Sequence, residues 1–213
     1  INNRFGFFPS FSAAWNLTGR PWFDEKDWID FFKVRASWGR NGNAEIGDYA
    51  YSPVIVNGLN YTFGVDQTQS IGSGPVLIAN PDLKWETGEQ VNLGLDADFL
   101  EGRWNVIFDL YEKNTRDMLA YVPNPGTAGL EPGPTNVASA RNRGAELSLG
   151  YQGGEGEFTY NLTGNISMYR NSVTDLGGGS DAEDNQPIFT GNVFGSGDFV
   201  SITQLNSPIA MFY

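Results

Sequence analysis

The chain contains no cysteine, no histidine and no uninterrupted apolar run of the roughly 18 residues that a membrane-spanning helix needs. These absences exclude a disulfide scaffold and a transmembrane helix. They also leave these residues unable to supply a Ser-His or Cys-His nucleophilic pair or a His-ligated zinc site. Basic residues are scarce too, with 13 Lys and Arg against 25 Asp and Glu, a net charge of −12. A nucleic-acid partner needs a basic face that releases phosphate counterions, so nucleic acid is excluded.

What the chain does have is alternation. From Phe7 to Leu17, Phe7, Pro9, Phe11, Ala13, Trp15 and Leu17 take one side, and Phe8, Ser10, Ser12, Ala14 and Asn16 the other. Only a period of two, that of a strand, separates residues so cleanly. The same parity sets Phe32, Val34, Ala36 and Trp38 against Lys33, Arg35 and Ser37, and Val91, Leu93, Leu95, Ala97 and Phe99 against Gln90, Asn92, Gly94, Asp96 and Asp98. Trp104, Val106, Phe108 and Leu110 oppose Arg103, Asn105 and Asp109, with Ile107 and Tyr111 out of phase on the polar side. Ala145, Leu147, Leu149 and Tyr151 oppose Gly144, Glu146, Ser148 and Gly150, and a sixth segment runs from Phe158 to Tyr169 with Asn161 and Asn165 on its polar side.

A soluble β-sandwich also alternates, so length and polarity must separate it from a membrane barrel. Soluble strands run about 5 or 6 residues. A strand of about 11 residues tilted near 40° rises roughly 27 Å, which matches an apolar barrel band about 25 Å tall. Phe7, Trp15, Phe32, Trp38, Phe99, Trp104, Tyr151, Phe158 and Tyr160 fall at or near strand ends, as interfacial aromatic girdles do. Lys33, Arg35 and Arg103 on the opposite face would each cost about 2 to 4 kcal/mol if turned to lipid at the midplane, so that face is the wet one.

Connector lengths give the organisation. Residues 100 to 102 and 152 to 157 read as tight turns on the periplasmic side. Residues 18 to 31, with Pro21, Asp24, Glu25, Asp27, Trp28 and Phe31, read as a connector holding a short helical turn. Residues 39 to 88 read as a long external loop whose hairpin pairs 49–56 with 60–65 about Asn57-Gly58. Residues 114 to 142, with Pro123, Pro125, Pro132 and Pro134, and the tail beyond Asn171 with Gly177, Gly178 and Gly179 read as further external loops. The expected fold is all-β, an antiparallel transmembrane β-barrel wall with long extracellular loops. Six strands are fewer than the eight or so a barrel needs, so residues 1–213 are expected to be a partial barrel domain.

The stretches NRFGFFPSFSAAW, DFFKVRASWGRNGN with IGDYAY, NPDLKWETGEQVNLGLD, DLYEKNTRDML and NVASARNRGAELSLGY resemble, in this order, the SusC/RagA family of TonB-dependent outer-membrane transporters of Bacteroidetes. The ending SPIAMFY is similar to the family's Pro-Ile-Gly-x-Phe-Tyr element, with Ala210 and Met211 departing from it. The resemblance implies a 22-stranded barrel in the cell outer membrane, a plug domain absent from these residues, and a SusD-like surface lipoprotein as lid. It also implies import of an oligosaccharide or peptide nutrient, driven through TonB. A siderophore-type TonB-dependent receptor and a secreted carbohydrate-binding β-sandwich remain as alternatives.

Candidate sites follow from the two surfaces. Lys33, Arg35, Asn92, Asp96, Arg103, Asp109, Glu146, Asn161 and Asn165 are expected to face the lumen. Tyr49, Tyr51, Tyr61, Trp85 and Tyr121 occur in external loops, where aromatic rings could stack on sugars or peptide side chains. Their plain alternative is loop packing, and Trp85 in the NPDLKWE stretch is the strongest case for it. The carboxylates Asp96, Asp98, Asp109 and Glu146 are expected to be solvated wall, not an acid/base pair. Asp181, Glu183, Asp184 and Asn185 are hard-oxygen donors without the EF-hand spacing, so neither metal nor cofactor is expected.

Overall fold

Alternation of this quality leaves each strand one apolar and one polar edge, and neighbouring strands align like with like. The computed structural model describes residues 3–21, 23, 27–43, 45, 48–121, 126–177, 187–190 and 200–212. Its main element is a six-stranded antiparallel meander of β1 (Ser10–Asn16), β2 (Ile29–Asn43), β7 (Glu86–Phe99), β8 (Trp104–Tyr121), β9 (Pro134–Glu155) and β10 (Phe158–Leu176), hydrogen-bonded in that order. The register places the predicted residues in continuous rows. Ala13, Ala36, Leu93, Leu110, Ala145 and Met168 form one, and Trp15, Val34, Leu95, Phe108, Leu147 and Ile166 the next.

This apolar face has no second sheet against it among the described residues. Phe11 is 71% exposed, Leu93 54% and Ile166 64%. A soluble sandwich would bury these rows at the centre of a core about 10 Å thick. Buried apolar residues are instead few and scattered: Leu83, Ala97, Ala140, Val173, Leu176 and Ile202. On β7 the apolar face runs from Val91 to Phe99, which spans roughly 20 Å along the normal at the usual tilt and fits a bilayer's hydrocarbon layer.

The strands are longer than the sequence pattern indicates. β9 has 22 residues and β10 has 19, and at this tilt 22 residues reach roughly 55 Å. Much of each therefore stands beyond the apolar band. Residues 114–121 and 134–142, expected to be loop, are paired strand: Asn114 faces Arg141 and Ala120 faces Thr135. Pro134 is tolerated because it opens β9, where a missing N–H costs the ladder little.

Two further expectations change. Asn57-Gly58 is not the hairpin tip: β3 (Ile55–Asn57) pairs with β6 (Ser73–Pro75) and β4 (Tyr61–Phe63) with β5 (Thr68–Ser70). One ribbon results, with its tip at Gly64 to Gln67, and Gly58 and Leu59 both donate to the Gly72 carbonyl where the ribbon is irregular. In the β1–β2 connector no helix is present among the described residues, and Phe23 N–H donates to the Arg20 carbonyl in a turn. Asp24 and Glu25 lie outside the described residues, as do Pro123, Pro125, Gly178, Gly179 and Tyr213.

The outer segments are tied to the strands. The Asn136 side-chain amide accepts from Lys84 N–H at 2.9 Å and donates to the Lys84 carbonyl at 2.9 Å and the Asp117 carbonyl at 2.7 Å. Lys84 Nζ pairs with Asp117 at 2.8 Å. This clasp holds the 48–85 segment against β8 and β9. At the C-terminal end β11 (Ile188–Thr190), β12 (Ser201–Thr203) and β13 (Met211–Phe212) form a small sheet, and Val173 on β10 exchanges backbone hydrogen bonds with Asn206 and Ser207.

Candidate functional site

The polar face concentrates its charge at mid-height. Lys33 and Arg35 on β2 face Asp96 and Gly94 on β7, and Gly94 faces Asp109 on β8, which faces Glu146 on β9. Because Gly94 has no side chain, Arg35 reaches across its strand. A Cβ there would lie 2.6 Å from Arg35 Cζ. Arg35 Nε donates to both Asp96 oxygens at 3.0 and 2.9 Å, and its Nη2 reaches Asp109 at 3.1 Å. Lys33 Nζ adds a second cation 3.4 Å from Asp96. One guanidinium thus bridges two strands' carboxylates, and planar arginine is the side chain suited to that fork.

Polar side chains continue the network in both directions. Asn92 donates to Ser37 at 3.0 Å and accepts from Gln90 at 2.7 Å. Asn105 donates to Asp98 at 2.7 Å. Arg103 lies in the β7–β8 turn, and with Asp98, Asn105, Gln152, Asn161 and Thr163 it lines an open depression of about 350 Å³. Asn165 is paired with Ser148 in the row containing Lys33 and Asp96. The nine polar-face candidates therefore share one surface, in a mid-height ion-paired group and a group near the tight turns.

Ile107 and Tyr111 stand on this polar face as parity requires. Tyr111 covers Gly144, where a Cβ would meet its phenolic oxygen at 2.6 Å. Ser37 and Gln90 join the hydrogen-bonding network without having been singled out, although the alternation that placed Asn92 placed them as well.

The loop aromatics do not converge. Tyr49 and Tyr51 are neighbours at a ring separation of 6.4 Å, Tyr61 sits edge-on to Phe63 at 5.1 Å, and Tyr121 is exposed at the end of β8. Trp85 packs on Phe8 at 5.5 Å and donates to the Arg4 carbonyl at 3.4 Å, joining the N-terminal segment to the long-loop end of β7. No cluster of three or more metal-ligating side chains occurs among the described residues, and Asp181, Glu183, Asp184 and Asn185 lie outside them.

A meander with one uncovered apolar face, one hydrated and ion-paired face, tight turns at one end and long segments at the other is a section of membrane β-barrel wall. The TonB dependent receptor-like β-barrel family model matches residues 1–206, and the chain belongs to that family. It is 35% identical over 188 residues to TonB-dependent receptor SusC of Bacteroides thetaiotaomicron, covering 85% of this chain and 18% of that protein. It is 32% identical over 183 residues to TonB-dependent receptor P3 of Formosa agariphila, covering 84% of this chain and 18% of that protein. A solved structure of the RagAB peptide importer in its closed-closed state superposes with a TM-score of 0.80 at 27% identity, over 99% of this chain and 21% of that one. The chain thus spans about a fifth of the length of these relatives.

Proposed function

We propose that this chain is part of the wall and outer mouth of an outer-membrane nutrient importer of the SusC kind, with the polar face lining its lumen. The observation that carries the reading is the division of the sheet. Arg35, Asp96 and Asp109 are only part-buried and joined across three strands, as suits a water-filled passage, while the Leu93 and Leu95 rows lie uncovered on the other side. The RagAB peptide importer among its structural neighbours favours a peptide as cargo, and the resemblance of the sequence to the SusC/RagA family adds an oligosaccharide as the alternative. The partners on this reading are a SusD-like surface lipoprotein at the outer mouth, TonB through residues outside this chain, and outer-membrane lipid around the wall. The exposed Tyr49, Tyr61 and Tyr121 rings face cargo or the lid, and the chain performs no bond chemistry.

The test is growth of the native organism with the gene deleted, supplied with oligosaccharide or peptide as sole nutrient, and of the same strain with the gene restored. Restored growth on one of these, abolished by a protonophore, supports the reading. Unchanged growth on both, with a defect only under iron limitation, overturns it in favour of a siderophore receptor.

A further inference from the structure

On β8, β9 and β10 the apolar face ends abruptly at its long-loop end. One step beyond Leu110, Ala145 and Met168 the outward row, which still carries Phe11, Trp38 and Val91 on β1, β2 and β7, becomes Glu112, Arg143 and Arg170, and the row after it runs Arg40, Glu89, Asn114 and Arg141. Arg116 adds a further cation near Glu89. A two-residue step along a strand is about 6.7 Å, so Arg143 and Arg170 stand within one side-chain length of the hydrocarbon edge, with Arg40 and Arg141 one step and Arg116 two steps further out. Five arginines against Glu89, Glu112 and, at the height of Arg116, Asp175 opposite Ser139 make a belt of net positive charge on a chain whose net charge is −12. The other end of the same face carries the aromatic residues Phe99, Trp104, Tyr151 and Tyr160 instead.

The belt is built to present guanidinium groups outward. Glu112 lies low and 35% exposed, holding Arg143 Nε at 2.6 Å while the Arg143 side chain remains 61% exposed. Arg141 Nε is held by Asn114 at 2.9 Å, and Asn114 in turn donates to Glu112 at 3.0 Å. The terminal amino groups of Arg141 and Arg143 donate no hydrogen bond to the described residues, and Arg170 is exposed with no ion-pair partner among them. Arg40 is oriented by the Trp38 ring, 5.8 Å away, and by Glu89. Arginines fixed at Nε with their terminal forks free are suited to bidentate contacts with phosphate.

We propose that this belt, formed by Arg141, Arg143 and Arg170 with Arg40 and Arg116 flanking, binds the phosphate groups of a phosphate-bearing lipid in the leaflet that meets the long loops, with the lipid's acyl chains lying on the Leu110, Ala145 and Met168 row. The inference rests on the membrane-wall reading above and adds a lipid site to it. The complementary sign of charge at headgroup depth selects this occupant, because a neutral headgroup would leave the belt's excess charge unanswered.

The test uses the native full-length protein purified in detergent, with retained phosphate-bearing lipid counted by mass spectrometry. The combined variant Arg141→Gln, Arg143→Gln, Arg170→Gln should retain about tenfold less of that lipid than the parent. The matching Arg→Lys variant should retain an intermediate amount, and Lys113→Gln, at the same height on the polar face, the parental amount. Heat-modifiable gel mobility confirms that each variant is a folded barrel. Equal retention in the folded Gln variant overturns the proposal. So does displacement of the lipid by inorganic phosphate alone, which indicates a free-anion site, or loss of a bound protein with lipid retention unchanged, which indicates a protein interface. Each result is independent of nutrient uptake, so failure here leaves the import reading standing, and failure of import leaves the lipid count interpretable.

Discussion

The two faces of the six-stranded sheet share every backbone hydrogen bond, yet they are stabilised by different surroundings. The polar face is self-sufficient: Arg35 answers Asp96 and Asp109, Ser37 answers Asn92, and water can complete the remainder. The apolar face has no partner sheet among the described residues, and rows such as Trp15, Val34, Leu95, Phe108, Leu147 and Ile166 depend on lipid to remove them from water. Such a sheet is thus stable only where one side is wet and the other greasy. Its chemistry reports its environment more directly than any single residue does.

The comparison breaks most readily at mid-height. Leu95→Arg on the apolar face should destabilise the membrane-inserted protein by about 2 to 4 kcal/mol, whereas Asn165→Arg on the polar face should cost less than about 1 kcal/mol. Denaturant titration in lipid vesicles measures both. Equal costs would erase the distinction between the faces.

Asn136→Ala should have the next largest effect. It removes three hydrogen bonds from a clasp outside the membrane band, so roughly 1 to 2 kcal/mol of local stability should go. Faster hydrogen exchange in residues 77–85, with the band unchanged, is the expected outcome.

Arg35→Met sharpens the polar side by leaving Asp96 and Asp109 without their shared cation. Because these groups are part-exposed, the cost should be about 1 kcal/mol, and adding Asp109→Asn should restore part of it. Double-mutant unfolding curves test the coupling. The smallest effect concerns the tyrosines: Tyr61→Ala and Tyr121→Ala lie in separate segments, so their effects on cargo uptake should combine multiplicatively. A strongly non-multiplicative result would place them in one site.

Much of this was legible in the sequence because a period of two at mid-membrane height leaves no freedom of register. A one-residue slip would turn Leu95 inward and Asp96 to lipid. Legibility ended where the membrane does. Beyond the band both faces are polar, as where Glu112 pairs with Arg143 and Lys113 with Asn142, so strand continues without the pattern that announces it. There the ladder is set by the neighbouring strand and not by burial, and the Pro-rich composition pointed to loop. The Asn57-Gly58 signal misled for a related reason: several turn-forming pairs compete in that ribbon, and tertiary pairing chose Gly64 to Gln67. The ion-paired group was half-visible. Alternation placed Lys33, Arg35, Asp96 and Asp109 on one face, but only the register showed that Gly94 opens the path between Arg35 and Asp109.

The most direct measurement places single spin-labelled cysteines, one at a time, at residues 91, 92, 93, 95, 96 and 98 of the membrane-embedded protein, in a chain that contains no cysteine of its own. Collision with oxygen reports lipid, and collision with a water-soluble nickel chelate reports the aqueous side. Labels at 91, 93 and 95 should collide chiefly with oxygen and those at 92, 96 and 98 with the chelate. Labels at 93 and 95 shielded from both would show that the apolar rows meet a protein core, and would contradict the assignment of this face to lipid.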